Sequence, residues 1–152
     1  VDTVQDFEDL LDLLERFEVR YLIIGGLAFI YHAKPRYTKD MDLWVGSDPE
    51  NVTRANRALA EFGSPHLLEA GRHEEVLQLG VAPNRIDLLQ DPGGVEFDVA
   101  WPRRVEGRYG RAKVNWIDLD SLIAIKSGID DPRHQDDARV LRMVRERRRD
   151  GS

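Results

Sequence analysis

Phe7, Leu10, Leu11, Leu14 and Phe17 recur at spacings of three and four. That period predicts an amphipathic helix over roughly residues 3–18, with Asp2 or Thr3 as its cap. Tyr21-Leu22-Ile23-Ile24 is a short apolar run that ends at Gly25-Gly26, as a buried strand would. Leu27 to Ala33 reads as a short helix halted before Pro35. Met41, Leu43 and Val45 then alternate with Asp40, Asp42 and Trp44, the period of a strand. Glu50 to Phe62 returns to helical spacing through Val52, Ala55, Leu59 and Phe62. Val76–Val81 and Arg85–Gln90 are β-like runs, and the Ala82-Pro83-Asn84 link has hairpin length and turn chemistry. Gly93–Ala100 fits no single pattern, and Lys113–Ile117 reads as a strand. Two helices close the chain: Leu119–Ser127, capped by Asp118 and stopped at Gly128, and one from Pro132 to about Arg148, capped by Asp131. The expectation is an α+β fold, a mixed sheet flanked by helices in a single domain over 1–152. Its core spans about 20–141, and 142–152 form a basic C-terminal tail.

At 152 residues the chain is long enough to bury a core without a disulfide or structural metal. It has no cysteine, which excludes a thiolate nucleophile, an iron–sulfur cluster and Cys-ligated zinc. The longest apolar run, Tyr21 to Tyr31, is too short to span a bilayer, which takes ~20 residues. The N-terminus is acidic and amphipathic and lacks the basic start of a signal peptide, so a cytoplasmic protein without membrane association is expected. The net charge of −6 conceals an asymmetry. Seven acids stand against Arg16 in residues 1–18, and six arginines stand against Glu146 in residues 139–149. A second basic cluster comprises Arg103, Arg104, Arg108, Arg111 and Lys113. These are either solvated faces or a surface for phosphate-rich partners.

The chemistry concentrates between residues 23 and 45. On a strand, positions i and i+2 face the same side, ~6.6–6.8 Å apart, so Asp40 and Asp42 stand together. Their charges repel unless a cation lies between them. Mg²⁺ suits such a pair, since it takes one or two carboxylates and fills its other positions with water and substrate phosphates. Gly25-Gly26 falls where a strand becomes a helix. Without a Cβ, backbone N–H groups there can approach an anion at the helix N-terminus. Neither Asp-x-Asp nor Gly-Gly is specific alone. Their combination, thirteen residues apart and each preceded by or set on a strand, is much more so.

Taken together, Ile23-Ile24-Gly25-Gly26-Leu27-Ala28 and Arg36-Tyr37-Thr38-Lys39-Asp40-Met41-Asp42 resemble the signature of DNA polymerase β-like nucleotidyltransferases. The Arg-x-Thr-x-Asp-x-Asp form is most similar to the small bacterial and archaeal branch that includes the AbiEii-type toxins and their short relatives. The resemblance continues through Arg85-Ile86-Asp87-Leu88-Leu89, the strand of a third carboxylate. It extends to Asp120–Lys126, a later helix bearing a lysine, and to Arg133-His134-Gln135-Asp136. Gln135 stands where a lysine is common and Arg139 where a second acid is common. The chain is shorter than the full toxins, and a dedicated acceptor-binding domain is expected to be missing.

The resemblance implies transfer of a nucleoside monophosphate from an NTP donor, with Mg²⁺ or Mn²⁺ as cofactor. Asp40 and Asp42 would bind two metals, and Asp87 would act as a further ligand or as general base. Gly25 and Gly26 would hold the phosphates. Arg36 and Lys39 either neutralise phosphate charge or pair with an acid. Thr38 either edges the strand or orients Asp40. Lys126 either contacts triphosphate or complements its helix dipole. Asp136 reads as a helix-terminus residue, and the four histidines show no metal-ligand spacing. The acceptor is expected to be RNA or tRNA, in a toxin-like role with an antitoxin-like protein partner. The alternatives are a small hydroxylated molecule of the antibiotic type and a non-catalytic nucleotide- or partner-binding module. A small-molecule acceptor would need an apolar-lined pocket rather than an open basic groove.

Overall fold

The computed structural model describes residues 3–38, 40–81 and 84–151. Lys39, the first two residues of the hairpin link (Ala82 and Pro83) and the candidate cap Asp2 lie outside the described residues. Along the chain come α1 (Gln5–Arg16), β1 (Tyr21–Ile24), α2 (Gly25–His32), β2 (Asp40–Val45), α3 (Pro49–Phe62), β3 (Val76–Leu79) and β4 (Arg85–Leu89). A short helix α4 (Phe97–Ala100) and a turn of 3₁₀-helix (Trp101–Arg103) come next. The chain continues with β5 (Val105–Tyr109), β6 (Ala112–Trp116), α5 (Leu119–Ser127) and α6 (Pro132–Arg149).

The strands form one sheet in the order β3-β4-β2-β1-β6-β5. Its pairings are mixed: β1 runs antiparallel to β2 and parallel to β6, and β2 runs parallel to β4. The outer hairpins β3–β4 and β5–β6 are antiparallel. Every residue of β1 is buried, the mark of a strand covered on both faces. Helix α1 packs on α3 and β6. Helix α2 packs on β1 and β2 and touches both members of the α5–α6 pair. The apolar stripe of α1 (Phe7, Leu10, Leu11 and Leu14) enters one core with Leu22, Ile23, Leu43 and Leu59. Among the described residues, no helix is long and apolar enough to cross a membrane.

The caps at Asp118 and Asp131 stand where the sequence places them, and Asp48 adds one beyond those expected from the sequence. Asp48 accepts from Asn51 N, Asp118 from Ser121 N, and Asp131 from Arg133 N and His134 N. Helix α1 is different: Val4 occupies its N-cap without a side-chain bond, and Thr3 donates instead to Glu8. Helix α2 begins at Gly25, so the two glycines open the helix and no loop precedes it. The ambiguous 93–100 stretch contains α4, and β5 is an additional strand where the sequence showed only a basic cluster. Arg142, Arg145, Arg147, Arg148 and Arg149 stand on α6, which continues to Arg149.

Candidate active site

The register of three neighbouring strands assembles the site. On β2, Asp42 lies opposite Ile24 of β1 on one side and opposite Asp87 of β4 on the other, while Asp40 lies opposite Arg85. Because Ile24 leads directly into Gly25, the start of α2 is set against Asp42. A Cβ on Gly25 would fall on the Asp42 carboxylate, and the φ of +69° at Gly25 is itself a glycine conformation. A Cβ on Gly26 would come within 2.6 Å of Thr38 Oγ1. Both glycines are therefore dictated by close approach. Thr38 sits as a wedge against the helix start, a contact that neither of its sequence alternatives names. Unlike α3, α5 and α6, α2 has no side-chain cap, and its first turn carries no acid. A helix start of this kind leaves its leading N–H groups without side-chain acceptors.

Arg85 joins the carboxylates. Its Nη2 donates to Asp40 Oδ2 at 3.0 Å, and its Nε donates to Asp87 Oδ1 at 3.0 Å. Among the described residues, Asp42 receives no such partner. Burial, then the charges of Asp87 and Asp40, push its carboxyl up to about 6, and Lys126 and Arg85 only partly counter this. With Arg85 between Asp40 and Asp87, no group of three or more His, Cys, Asp or Glu side chains is gathered to hold a metal ion among the described residues. The donors nonetheless fit Mg²⁺ or Mn²⁺ in kind. They are carboxylate oxygens on adjoining strands, and Asp40 Oδ1 is buried without a hydrogen-bond partner.

Behind Asp42, α5 presents Lys126, buried and only 3% exposed. Its Nζ donates to Asp137 Oδ2 at 3.0 Å and lies 3.3 Å from His134 Nδ1. Burial and the Lys126 charge hold the His134 imidazole below its ordinary value, which suits a neutral ring accepting from an ammonium group. Arg36 grips the same Asp137 and lies 4.0 Å from the centre of the Phe29 ring. Arg36 thus takes the acid-pairing alternative, and the partner is an aspartate to which the sequence pattern gave no role. Its neighbour Asp136 is exposed and bridges to Arg139. Helical period could have separated the two, since Asp137 shares a face with Leu141 and Val144, one and two turns on.

Two cavities flank the start of α2. One, of about 320 Å³, is lined by Gly25, Asp42, Asp91, Lys126 and His134 together with apolar residues of α5 and β4. The other, of about 730 Å³, lies on the Gly26–Thr38 side, between α2, the first turn of α1 and the β5–β6 hairpin.

The chain aligns with two solved enzymes across nearly its whole length. The lincosamide antibiotic adenylyltransferase LnuA, bound to lincomycin, matches with a TM-score of 0.60 over 94% of this chain and 99% of its own, at 18% identity. The chain has the nucleotidyltransferase fold. ANT(2")-Ia in complex with adenylyl-2"-tobramycin matches with a TM-score of 0.56, over 89% of this chain and 84% of its own, at 17% identity. No family model and no curated sequence matches the chain. Ile24, which leads into Gly25, the β2 carboxylates and Asp87 lie on three adjacent strands of one sheet.

Proposed function

We propose that the protein transfers a nucleoside monophosphate from an NTP to a hydroxyl group of a small molecule. The observation that carries this reading is the pair of cavities on either side of the Gly25–Gly26 turn. Both are mostly apolar, but the smaller one carries the charged groups Asp42, Asp91 and Lys126, whereas the larger one is walled by aromatic rings and has no acid in its lining among the described residues. That division suits a charged donor and a less polar acceptor that meet at the carboxylates. The likeness to two antibiotic-modifying enzymes supports the same reading.

In the reaction, the acceptor oxygen bonds to the α-phosphorus, the bond from that phosphorus to the bridging oxygen breaks, and pyrophosphate leaves with the electron pair. Asp87 or Asp42 takes the hydroxyl proton. The elevated pKa of Asp42 suits proton transfer near neutrality. The leading N–H groups of α2 hold phosphate oxygens. Lys126, itself fixed by Asp137, adds positive charge behind them. Asp40, Asp42 and Asp87 would hold Mg²⁺ or Mn²⁺, which would supply Lewis-acid stabilisation of the transferring group. For this, Arg85 must release Asp40 and Asp87.

The arginines of α6 give RNA less support than their number in the sequence implies. Arg139, Arg145 and Arg149 pair with Asp136, Asp120 and Glu146, and Arg142 donates to Ser127.

The test is transfer of α-phosphorus label from each of the four NTPs, with Mg²⁺, to a panel of hydroxylated small molecules and to total tRNA. An Asp40→Asn/Asp42→Asn double variant is the control. Label in a small molecule, absent from the control, supports the proposal. Label confined to tRNA would replace it with an RNA-modifying enzyme. NTP binding without transfer to any acceptor would leave a binding module.

A further inference from the structure

On the transferase reading, the larger cavity bears on the chemistry of the acceptor itself. At about 730 Å³ it is of the size that takes a drug-like molecule. Its walls are formed by Phe7, Leu27, Ile30, Tyr31, Tyr109 and Trp116. The rings are paired and held. Tyr31 stacks on Trp116 at 4.5 Å with 9° between planes, and Phe7 lies 6.2 Å from Tyr109, whose hydroxyl accepts from Val4 N. Such walls offer flat apolar contact at little entropic cost. No acid lines the cavity among the described residues, whereas two arginines do. Arg36 is committed to Asp137. Arg108 donates only to the Arg111 carbonyl and makes no ion pair among the described residues. A polycationic ligand would meet Arg108 here with no carboxylate in the cavity wall itself among the described residues, the nearby Glu8 being held by Thr3 Oγ1 and Arg111 N.

We infer, resting on that transferase reading, that the acceptor is a ring-bearing hydroxyl compound without positive charge, seated between Leu27 and the Tyr31–Trp116 stack. An anionic substituent, where it has one, is met by Arg108. The cavity borders Thr38, whose Oγ1 stands against Gly26, the residue after the Gly25–Asp42 contact, so its inner end lies beside the start of α2.

The experiment measures equilibrium binding of naphthol, hydroxynaphthoate and tobramycin to the full chain by calorimetry, without nucleotide. It uses wild type, Leu27→Trp and Arg108→Glu. Both naphthalene compounds are expected to bind more tightly than tobramycin. Leu27→Trp, which fills the cavity, should weaken both by about tenfold or more. Arg108→Glu, on the exposed rim, should weaken hydroxynaphthoate by roughly threefold to fivefold, the scale of a surface ion pair, and leave naphthol unchanged. Tighter binding of tobramycin than of hydroxynaphthoate, or naphthalene binding indifferent to both substitutions, would overturn the inference. Labelled ATP is added afterwards as a separate step. Binding at this site without transfer would count against the transferase reading and leave the ligand class standing.

Discussion

Arg36 holds Asp137 through two parallel hydrogen bonds, of 2.7 and 2.9 Å, across 101 positions of chain. The bond ties the segment before β2 to α6. Asp137 also neutralises Lys126, so one carboxylate serves a half-exposed cation and a buried one.

Asp137→Asn should therefore destabilise the fold by about 3 kcal/mol in urea unfolding at neutral pH, because it leaves the Lys126 charge buried and unpaired. Burial pushes the Asp137 carboxyl up, but hydrogen bonds from Arg36 and Lys126 outweigh burial and hold it below its ordinary 3.8. A lowered carboxyl stabilises the fold above its unfolded value, and that contribution is lost as pH falls through the folded one. The gap between wild type and variant should thus be full above about pH 4 and shrink below it. A gap that grows in acid would refute the shared-partner role of Asp137.

Asp42 has the opposite sign. Its carboxyl is raised to about 6, so the stability it contributes is full below 3.8 and is lost as pH rises through about 6. In EDTA, Asp42→Asn should be more stable than wild type at pH 8, by no more than about 3 kcal/mol. The advantage should vanish below about pH 4, the ordinary carboxylate range. Equal stability at both pH values would show that Asp42 is not held in a hostile environment.

Arg85→Gln should lower the melting temperature in EDTA, because Asp40 and Asp87 lose their shared partner. Added Mg²⁺ should restore much of the loss and should bind the variant more tightly than wild type, since no guanidinium has to leave. If Mg²⁺ fails to distinguish the two proteins in thermal melts, Arg85 and the metal do not compete.

Gly26→Ala and Thr38→Ala should be coupled. The added methyl group meets Thr38 Oγ1, so Gly26→Ala should cost less stability in the Thr38→Ala background, by about 0.5 kcal/mol or more. Gly25→Ala should find no such relief, because its φ is positive and its neighbour is Asp42. Additive effects in a double-mutant cycle at 26 and 38 would remove the wedge role of Thr38.

Much of the fold was legible in the chain because local signals agreed. The helix starts at Asp118 and Asp131 carry their own caps, and the alternation in β2 set Asp40 and Asp42 on one side. What sequence could not supply was the identity of partners across strands and helices. Arg85 lies beside Asp40 only through a parallel register between segments 45 residues apart. Trp44 follows the polar phase of β2 yet is buried, because its indole donates to the Gln90 carbonyl and Phe97 packs edge-on against it. The strand β5 was hidden by Glu106, Gly107 and Arg108, for it alternates between half-buried and exposed positions at the sheet edge and carries no apolar run. Asp137 was masked by Asp136, since two adjacent acids look alike until the helix is placed against its neighbour.

The direct passage of β1 into α2 has a consequence for recognition. On the proposed reading, the N–H groups that would face a phosphate follow directly from a buried strand and are held by contacts at Asp42 and Thr38, so their conformational entropy is surrendered during folding. A nucleotide would then meet a finished mould, and the ordering cost of a flexible phosphate-binding loop would fall instead on the rearrangement of a single arginine.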